Sequence, residues 1–364
     1  MHFQENKIKA VDFFCSGGGM SCGMVQAGID VVAGVDFDLS CKQTYETNIV
    51  GAEFICADIS QLEETYLENK LQLKRNDDNL LLIGCSPCQF WSIIKTDKKK
   101  SKKSKDLLKE FRRFVEYFNP GHVVVENVPG VLQKQKESGL EEFILWLRNN
   151  GFAVHADIHE VSNYGVPQHR KRFTLIANRL TTKELQPVQR NGKKITVRDV
   201  LGEQNGFAQV SQGHKDKSEF MHSVAGLNEL NLERLNLTPH NGGTRMAYVH
   251  DERLAPSCHY GNTESFKDIY GRMFWDKPSP TITTKFFSFS NGRFGHPEEN
   301  RALSIREGAT LQSFPKTYKF IGNSTANIAR MIGNAVPPTY ARAIGKAITQ
   351  NYDKWQNLKQ EQEL

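Results

Sequence analysis

Two cysteines stand in Gly84-Cys85-Ser86-Pro87-Cys88-Gln89-Phe90-Trp91-Ser92, directly after an apolar run. Cys-x-x-Cys admits three chemistries. Half of a zinc site needs a second ligand pair, for which only Cys258-His259 is available. A redox dithiol usually opens a helix in a smaller fold. A lone nucleophile needs the carboxyl end of a central strand, where open α/β sheets hold their chemistry. Cys88, after a proline at such an end, suits that role, and Cys85 reads as buried and inert. An acid, Glu126, follows Val123-Val124-Val125 and precedes Asn127-Val128-Pro129-Gly130. A carboxyl placed there costs stability unless it has a purpose or a partner. Tyr164-Gly165-Val166-Pro167-Gln168-His169-Arg170-Lys171-Arg172 leads into another apolar run. In extended backbone, Arg170 and Arg172 point the same way.

A second constellation lies near the start of the chain. Gly17-Gly18-Gly19 follows a β-rich run, with Gly23 four residues on. Such a turn lets the backbone approach a ligand closely, though it is equally a tight strand–helix connection. Asp36, 19 residues beyond Gly17, stands where an acid bonds ribose hydroxyls, which favours a nucleoside cofactor. Phe37 is suited to stacking on adenine and Asp58 to accepting from its amino group. Taken alone, Asp58 reads as an exposed helix cap.

The elements that must position these residues follow from pattern. Strands are expected at 8–14, 31–35, 53–56, 80–84, 122–125, 152–156 and 172–177. Leu107, Phe111, Phe114, Val115 and Phe118 fall at helical spacing, and Phe143–Leu147 forms a further helix stopped by Gly151. Strand and helix in alternation predict an α/β fold with a doubly wound, mostly parallel sheet covered on both faces. Beyond residue 180 the periodicity fails and Asn, Gly, His and Gln become frequent, which predicts an irregular second domain with short strands. Helices return at 304–314 and 338–352, and the tail Asn-Leu-Lys-Gln-Glu-Gln-Glu-Leu is expected to fray.

Composition bounds the function. The chain has 364 residues, 38% hydrophobic and 24% charged, with 22 Phe and 4 Trp, so wholesale disorder is excluded. No run approaches the roughly 20 apolar residues of a membrane span, and the first residues lack the pattern of a signal peptide. Seven scattered cysteines argue against a disulfide framework and for a reducing cytosol. A net charge of +6 permits a polyanionic partner. Lys95, Lys98, Lys99, Lys100, Lys102, Lys103 and Lys105 are seven lysines in eleven residues. Alone they read as a solvated loop. Beside a nucleophile they are suited to phosphate contact.

Asp-Phe-Phe-Cys-Ser-Gly-Gly-Gly, Ser-Pro-Cys-Gln, Glu-Asn-Val, Gln-His-Arg-Lys-Arg, Arg-Glu-Gly-Ala-Thr-Leu-Gln-Ser-Phe-Pro and Gly-Asn-Ala-Val-Pro-Pro occur in the order and at the intervals of one family. The chain resembles the cytosine-5 DNA methyltransferases, over about residues 10–178 and 270–350. Ser16 and Ser86 depart from the family's usual Gly and Pro; both are small, and tuning is expected rather than loss. The resemblance implies a Rossmann-like fold that uses S-adenosylmethionine and no metal. It implies Cys88, Glu126, Arg170 and Arg172 as the catalytic set, with Cys88 adding to carbon 6 and Glu126 contacting N3 and the amino group of cytosine. Because neutral N3 is an acceptor, Glu126 must share or donate a proton there, which burial makes possible. Phe14, Ser16, Gly17, Gly18 and Gly19 would hold the methionine part, Asp36 the ribose, Phe37, Asp58 and Ile59 the adenine. Asn334 would close the site, bringing the C-terminal helix beside strand one. Duplex DNA, its target base flipped out, would meet Ser92, Lys98, Lys99, Lys100 and Arg245.

The implied layout is a catalytic domain over 1–189 and 325–364, a target-recognition domain over 190–300 with Arg234, His240, Asn241, Gly242, Gly243, Arg245 and Arg272 as base readers, and a hinge over 301–324. A bacterial modification enzyme is expected, paired with a restriction endonuclease, monomeric, cytoplasmic and at the nucleoid. An RNA methyltransferase on the same scaffold and a non-catalytic DNA-binding relative are the alternatives. A nicotinamide dehydrogenase would leave Cys88, Glu126 and the arginine motif unexplained.

Overall fold

The computed structural model describes residues 7–86 and 106–363; Cys88, Ser92 and the lysine run lie outside the described residues. Short apolar runs closed by turns form the strands β1 (Lys9–Phe13), β2 (Asp30–Asp36), β3 (Glu53–Cys56), β4 (Leu80–Gly84), β5 (His122–Asn127), β6 (Ala153–Glu160) and β7 (Lys171–Asn178). They make one sheet in the order β3-β2-β1-β4-β5-β7-β6. β1 to β5 run parallel, and β7 lies antiparallel to both β5 and β6. The helices that follow strands are α1 (Gly19–Gln26), α2 (Lys42–Asn48), α3 (Glu64–Leu71), α4 (Leu107–Phe118), α5 (Gln135–Ser138) and α6 (Leu140–Asn149).

Packing divides the chain into two units. The first comprises the chain up to Tyr164, Lys171–Arg190 and the chain from Val336 on; the second comprises Gly165–Arg170 and Asn191–Ala335. In the first, β1 shows why helices cover both faces. Val11 and Phe13 join the core cluster that contains Phe111, Phe114 and Phe118 of α4. Asp12, between them, turns the other way to α1, where Ser21 Oγ donates to its carboxylate at 2.6 Å. Gly84, the last residue of β4, has no room for a side chain, since a Cβ there would come within 2.7 Å of the Phe111 ring.

The last helix of the first unit runs over Pro338–Glu363. It packs on α1 through small residues. A Cβ on Gly23 would meet Ala341 at 2.4 Å, and one on Gly345 would meet Ala27 at 2.6 Å. The C-terminal helix therefore lies against α1, the helix that follows β1. It also continues through the segment expected to fray, since 357–363 contains neither Gly nor Pro and is rich in helix formers.

The second unit holds α7 (Glu229–Leu237), α8 (Ile305–Leu311) and α9 (Thr325–Asn334), which makes the C-terminal helix α10. The short strands expected here are not formed among the described residues. Only isolated bridges occur, such as Arg272 with Gly295. Backbone carbonyls without a ladder still need donors, and buried arginines supply them. Arg272, wholly buried, donates to the carbonyls of Leu235, Thr238, His296, Glu298 and Glu299. Residues 301–335 pack within this unit, whereas the sequence assigns 325–335 to the catalytic domain and 301–324 to a hinge. Gln312, just after α8, explains the placement of α9: its Nε2 donates to the carbonyls of Ile332 and Ala335. Among the described residues no helix is long and apolar enough to cross a membrane.

Candidate active site

The turn after β1 is bent by left-handed backbone at Phe14 (φ 63°), Ser16 (φ 45°) and Gly18 (φ 83°). The positive φ at Ser16 gives glycine a conformational advantage there. Serine is accommodated because its N–H donates to Asp36 Oδ2 at 2.9 Å. The other carboxylate oxygen of Asp36 accepts from Asp38 N–H at 2.9 Å. The acid at the end of β2 is thus oriented by two backbone amides. Phe37, next to it, is 71% exposed. Asp58 is exposed and accepts from Ser60 N–H and Oγ, a local turn, while Ile59 beside it is buried. An acid fixed beside a glycine turn of left-handed backbone, with an exposed aromatic next to it, fits a molecule that carries a ribose and a planar base.

The second cluster lies at the ends of β4 and β5. Glu126 is buried and Arg172 of β7 nearly so, with Arg172 Nε 2.8 Å from Glu126 Oε1. Asn127 Nδ2 donates to Ser86 Oγ at 3.1 Å and reaches the Ser86 carbonyl at 3.3 Å, while its Oδ1 accepts from Val128 N–H. This ties the end of β5 to the segment leading toward Cys88. It also gives the Ser86 hydroxyl, present where the family usually has proline, a partner. Burial pushes the Cys85 thiol well above its ordinary value, and Asp12 and Glu126 add to the effect. Cys85 is therefore held as an inert thiol.

Other expected site residues serve elsewhere. Arg170, expected beside Arg172, packs in the second unit, where its guanidinium donates to the carbonyls of Ile282 and Gly333 at 2.9 and 3.0 Å. Gln168 of the same motif donates to Gln312 Oε1 at 2.6 Å. The arginine motif, Leu-Gln-Ser-Phe-Pro and Gly-Asn-Ala-Val-Pro-Pro thus hold one another. Gly333 is needed there, since a Cβ would come within 2.4 Å of the Thr283 backbone. Asn334 ends α9, exposed. Arg245, expected on DNA, is 1% exposed and donates to the carbonyls of His259, Ser265 and Phe266. Arg234 and Arg272 are likewise buried and bonded within the unit. Gly242 and Gly243 make room for the Phe274 ring and the Pro239 backbone. Sequence reasoning missed Asn127 as a tether, although it stands in the Glu-Asn-Val motif. Among the described residues, no group of three or more His, Cys, Asp or Glu side chains is placed to hold a metal ion.

The strand order, with β7 reversed between β5 and β6, together with the glycine turn and Asp36, defines an α/β methyltransferase fold. The chain belongs to the C-5 cytosine-specific DNA methylase family, whose model matches residues 8–350. It is a cytosine-5 DNA methyltransferase, and the family implies DNA as substrate and S-adenosylmethionine as methyl donor. It is 37% identical over 343 residues to the Type II methylase M.HgiDII of Herpetosiphon aurantiacus, covering 93% of this chain and 94% of that one. It is 28% identical over 367 residues to the Type II methyltransferase M.NgoFVII of Neisseria gonorrhoeae, covering 97% and 91%. A crystal structure of a prophage-encoded E. coli protein assigned to the DNA modification methyltransferases shares the fold, with a TM-score of 0.72 at 21% identity over 95% of this chain and all of that one.

Proposed function

We propose that the enzyme methylates a cytosine flipped out of a specific duplex sequence, through a covalent bond from Cys88 to carbon 6. The buried Glu126–Arg172 pair carries this reading, because it puts an acid and a cation at the end of β5, next to the strand that continues toward Cys88. The Cys88 thiolate adds to carbon 6 while ring N3 takes up a proton shared by Glu126, so negative charge does not accumulate in the ring. S-adenosylmethionine, when bound, would supply an electrophilic methyl on a sulfonium that takes up the bonding pair as a neutral thioether. Carbon 5, made enamine-like by the addition, forms the new bond to that methyl. Carbon 5 then loses its proton to a base, which a water can provide. Expulsion of the Cys88 thiolate restores the ring double bond, and N3 returns its proton to Glu126.

Arg172 orients the Glu126 carboxyl and would supply positive charge near the nucleophile, while Arg170 binds the carbonyls of Ile282 and Gly333 within the second unit. Phe14, Ser16 and Gly17–Gly19 would hold the methionine part of the cofactor, Asp36 the ribose, Phe37, Asp58 and Ile59 the adenine, and Asn334 would close the site. Ser92, Lys98, Lys99 and Lys100 would meet DNA, with sequence choice falling to about residues 190–300. The Type II enzymes among its relatives support a modification enzyme paired with a restriction endonuclease; the reading also has it act as a monomer, in the cytoplasm and at the nucleoid.

Duplex DNA carrying 5-fluorocytosine tests the mechanism, because fluorine cannot leave as a proton does. A trapped adduct mapped to Cys88 and lost in Cys88→Ser is expected. An adduct at Cys85, or methylation of transfer RNA in place of duplex DNA, overturns the reading.

A further inference from the structure

The strand that carries Arg172 has a polar face braced from behind. In the pairing of β5 with β7, Thr174 lies directly opposite Glu126. In the pairing of β6 with β7, His159 lies opposite Arg172. Thr174 is wholly buried, and its Oγ1 lies 2.7 Å from the hydroxyl of Tyr340 in the first turn of α10. Tyr340 is itself 0% exposed. Its ring packs edge-on against Tyr164, with centroids 4.9 Å apart. The Tyr164 hydroxyl in turn lies 2.6 Å from His159 Nδ1. One polar contact thus stands at the residue opposite Glu126 and one at the residue opposite Arg172, joined by two tyrosines in edge-on contact.

Packing alone does not require these hydroxyls. Phenylalanine at 340 and valine at 174 would fill the same space, and burying a hydroxyl costs free energy unless it bonds. Burial raises the Tyr340 phenol well above its ordinary value, so it stays protonated and can act as a hydrogen-bond donor. Side chains directly opposite in an antiparallel pair stand about 5 Å apart at Cβ. A rotation of Thr174 thus reaches Glu126 at once, and a misplacement of about 1 Å at a reacting group slows a reaction by roughly a hundredfold.

We propose that Tyr340 and Thr174 are positioning residues, whose hydrogen bond fixes the polar face of β7 so that Arg172 presents the Glu126 carboxyl to ring N3. The proposal rests on the role given to Glu126 above. It is tested with Tyr340→Phe, Thr174→Val, their combination and Thr174→Ser. Single-turnover methyl transfer and the rate of Cys88 adduct formation are measured beside the cofactor dissociation constant and the melting temperature. Tyr340→Phe and Thr174→Val are each expected to slow adduct formation and transfer about tenfold, the value of one hydrogen bond. The combined variant should be no slower than either, because one bond is lost in all three. Thr174→Ser should restore most of the rate lost in Thr174→Val, and cofactor affinity should stay within about twofold of wild type. A wild-type rate in Tyr340→Phe, multiplied losses in the combination, or a parallel loss of cofactor affinity overturns the proposal. Glu126→Gln separates the two layers. If it transfers at full rate, the reading of Glu126 fails; if it is slow while Tyr340→Phe is fast, only the brace fails.

Discussion

Arg172 reaches Glu126 diagonally across the antiparallel pairing of β5 and β7, its Nε 2.8 Å from Glu126 Oε1, with the two side chains only 13% and 9% exposed. A pair so enclosed is costly to break from one side, since the remaining charge keeps its desolvation penalty. The arrangement is therefore better explained by what the acid does than by stability.

Glu126→Gln keeps the shape and removes the transferable proton. Removing one group that stabilises developing charge typically costs about a hundred- to a thousandfold in rate. Transfer should fall by that order while the cofactor dissociation constant, measured by calorimetry, changes by less than about threefold. Equal losses in both would make Glu126 a structural residue.

The N–H groups of Ser16 and Asp38 fix the Asp36 carboxylate at the end of β2. A charge-assisted hydrogen bond contributes about 1.5–3 kcal/mol. Asp36→Ala should weaken S-adenosylmethionine binding by roughly one to two orders of magnitude. Asp36→Asn separates the two duties. An amide keeps one acceptor for a backbone N–H but loses the charge, so its affinity should fall between those of wild type and Asp36→Ala. Asn binding no better than Ala would show that the carboxylate mainly shapes the turn.

The first unit is legible in sequence because its strands are apolar runs closed by turns, and the sheet buries them on both faces. The exceptions are instructive. β5 runs past its valines through Glu126 and Asn127 because Thr174 and Phe173 of β7 pair with them, which no periodicity marks. α2 buries only Thr44 and Tyr45, and α3 only Leu67, so neither shows an apolar stripe. At the site, Asp36 is marked by its spacing from the glycine turn. Arg170 and Arg172 cannot be told apart in the sequence, being alternate residues of one motif. What separates them is tertiary: the carbonyls of Ile282 and Gly333 take one and the Glu126 carboxyl takes the other. Likewise, a guanidinium that threads carbonyls and one that faces phosphate look the same in a composition.

His122 should give the protein an acid-sensitive term. Its ring is wholly buried in β5, both nitrogens lack a hydrogen-bond partner among the described residues, and burial, aided by Arg179, pushes its pKa down to about 3 from the ordinary 6.5. The folded ring stays neutral, while the unfolded ring takes a proton below pH 6.5. The stability it contributes is full above pH 6.5 and is lost progressively as pH falls toward 3. Between pH 7 and pH 5 the loss is about 2 kcal/mol. Asp12, raised to about 7 by burial, acts in the opposite direction, because its folded form holds a proton that the unfolded form releases. The useful quantity is thus the difference between wild type and His122→Leu. On moving from pH 7 to pH 5, the urea midpoint should fall further in wild type than in the variant. The same shift in both would show that His122 does not titrate on unfolding.

Sequence choice is expected in about residues 190–300, but not at Arg245, Arg234 or Arg272, whose side chains serve the unit's own backbone. Arg245 shows the distinction most plainly. It is 1% exposed and draws together the carbonyls of His259, Ser265 and Phe266, so it shapes the loop between them. A side chain that reads a base pair contributes about 1–3 kcal/mol of discrimination, and its loss would change preference between neighbouring sequences by roughly ten- to a hundredfold. One that holds a loop together contributes stability instead. Arg245→Ala should therefore lower the melting temperature and slow methylation of every sequence alike, leaving the ratio of kcat/KM values for cognate and near-cognate duplexes unchanged within about twofold. Exposed residues of the same region, such as His240 and Lys277, should show the opposite pattern if they reach DNA. Grafting residues 190–300 onto a relative with a known site should then transfer this enzyme's site, with the chemistry supplied by the host. A relaxed preference in a fully stable Arg245→Ala would restore that arginine as a base reader. A folded, active chimera that keeps the host's site would place recognition outside the region altogether.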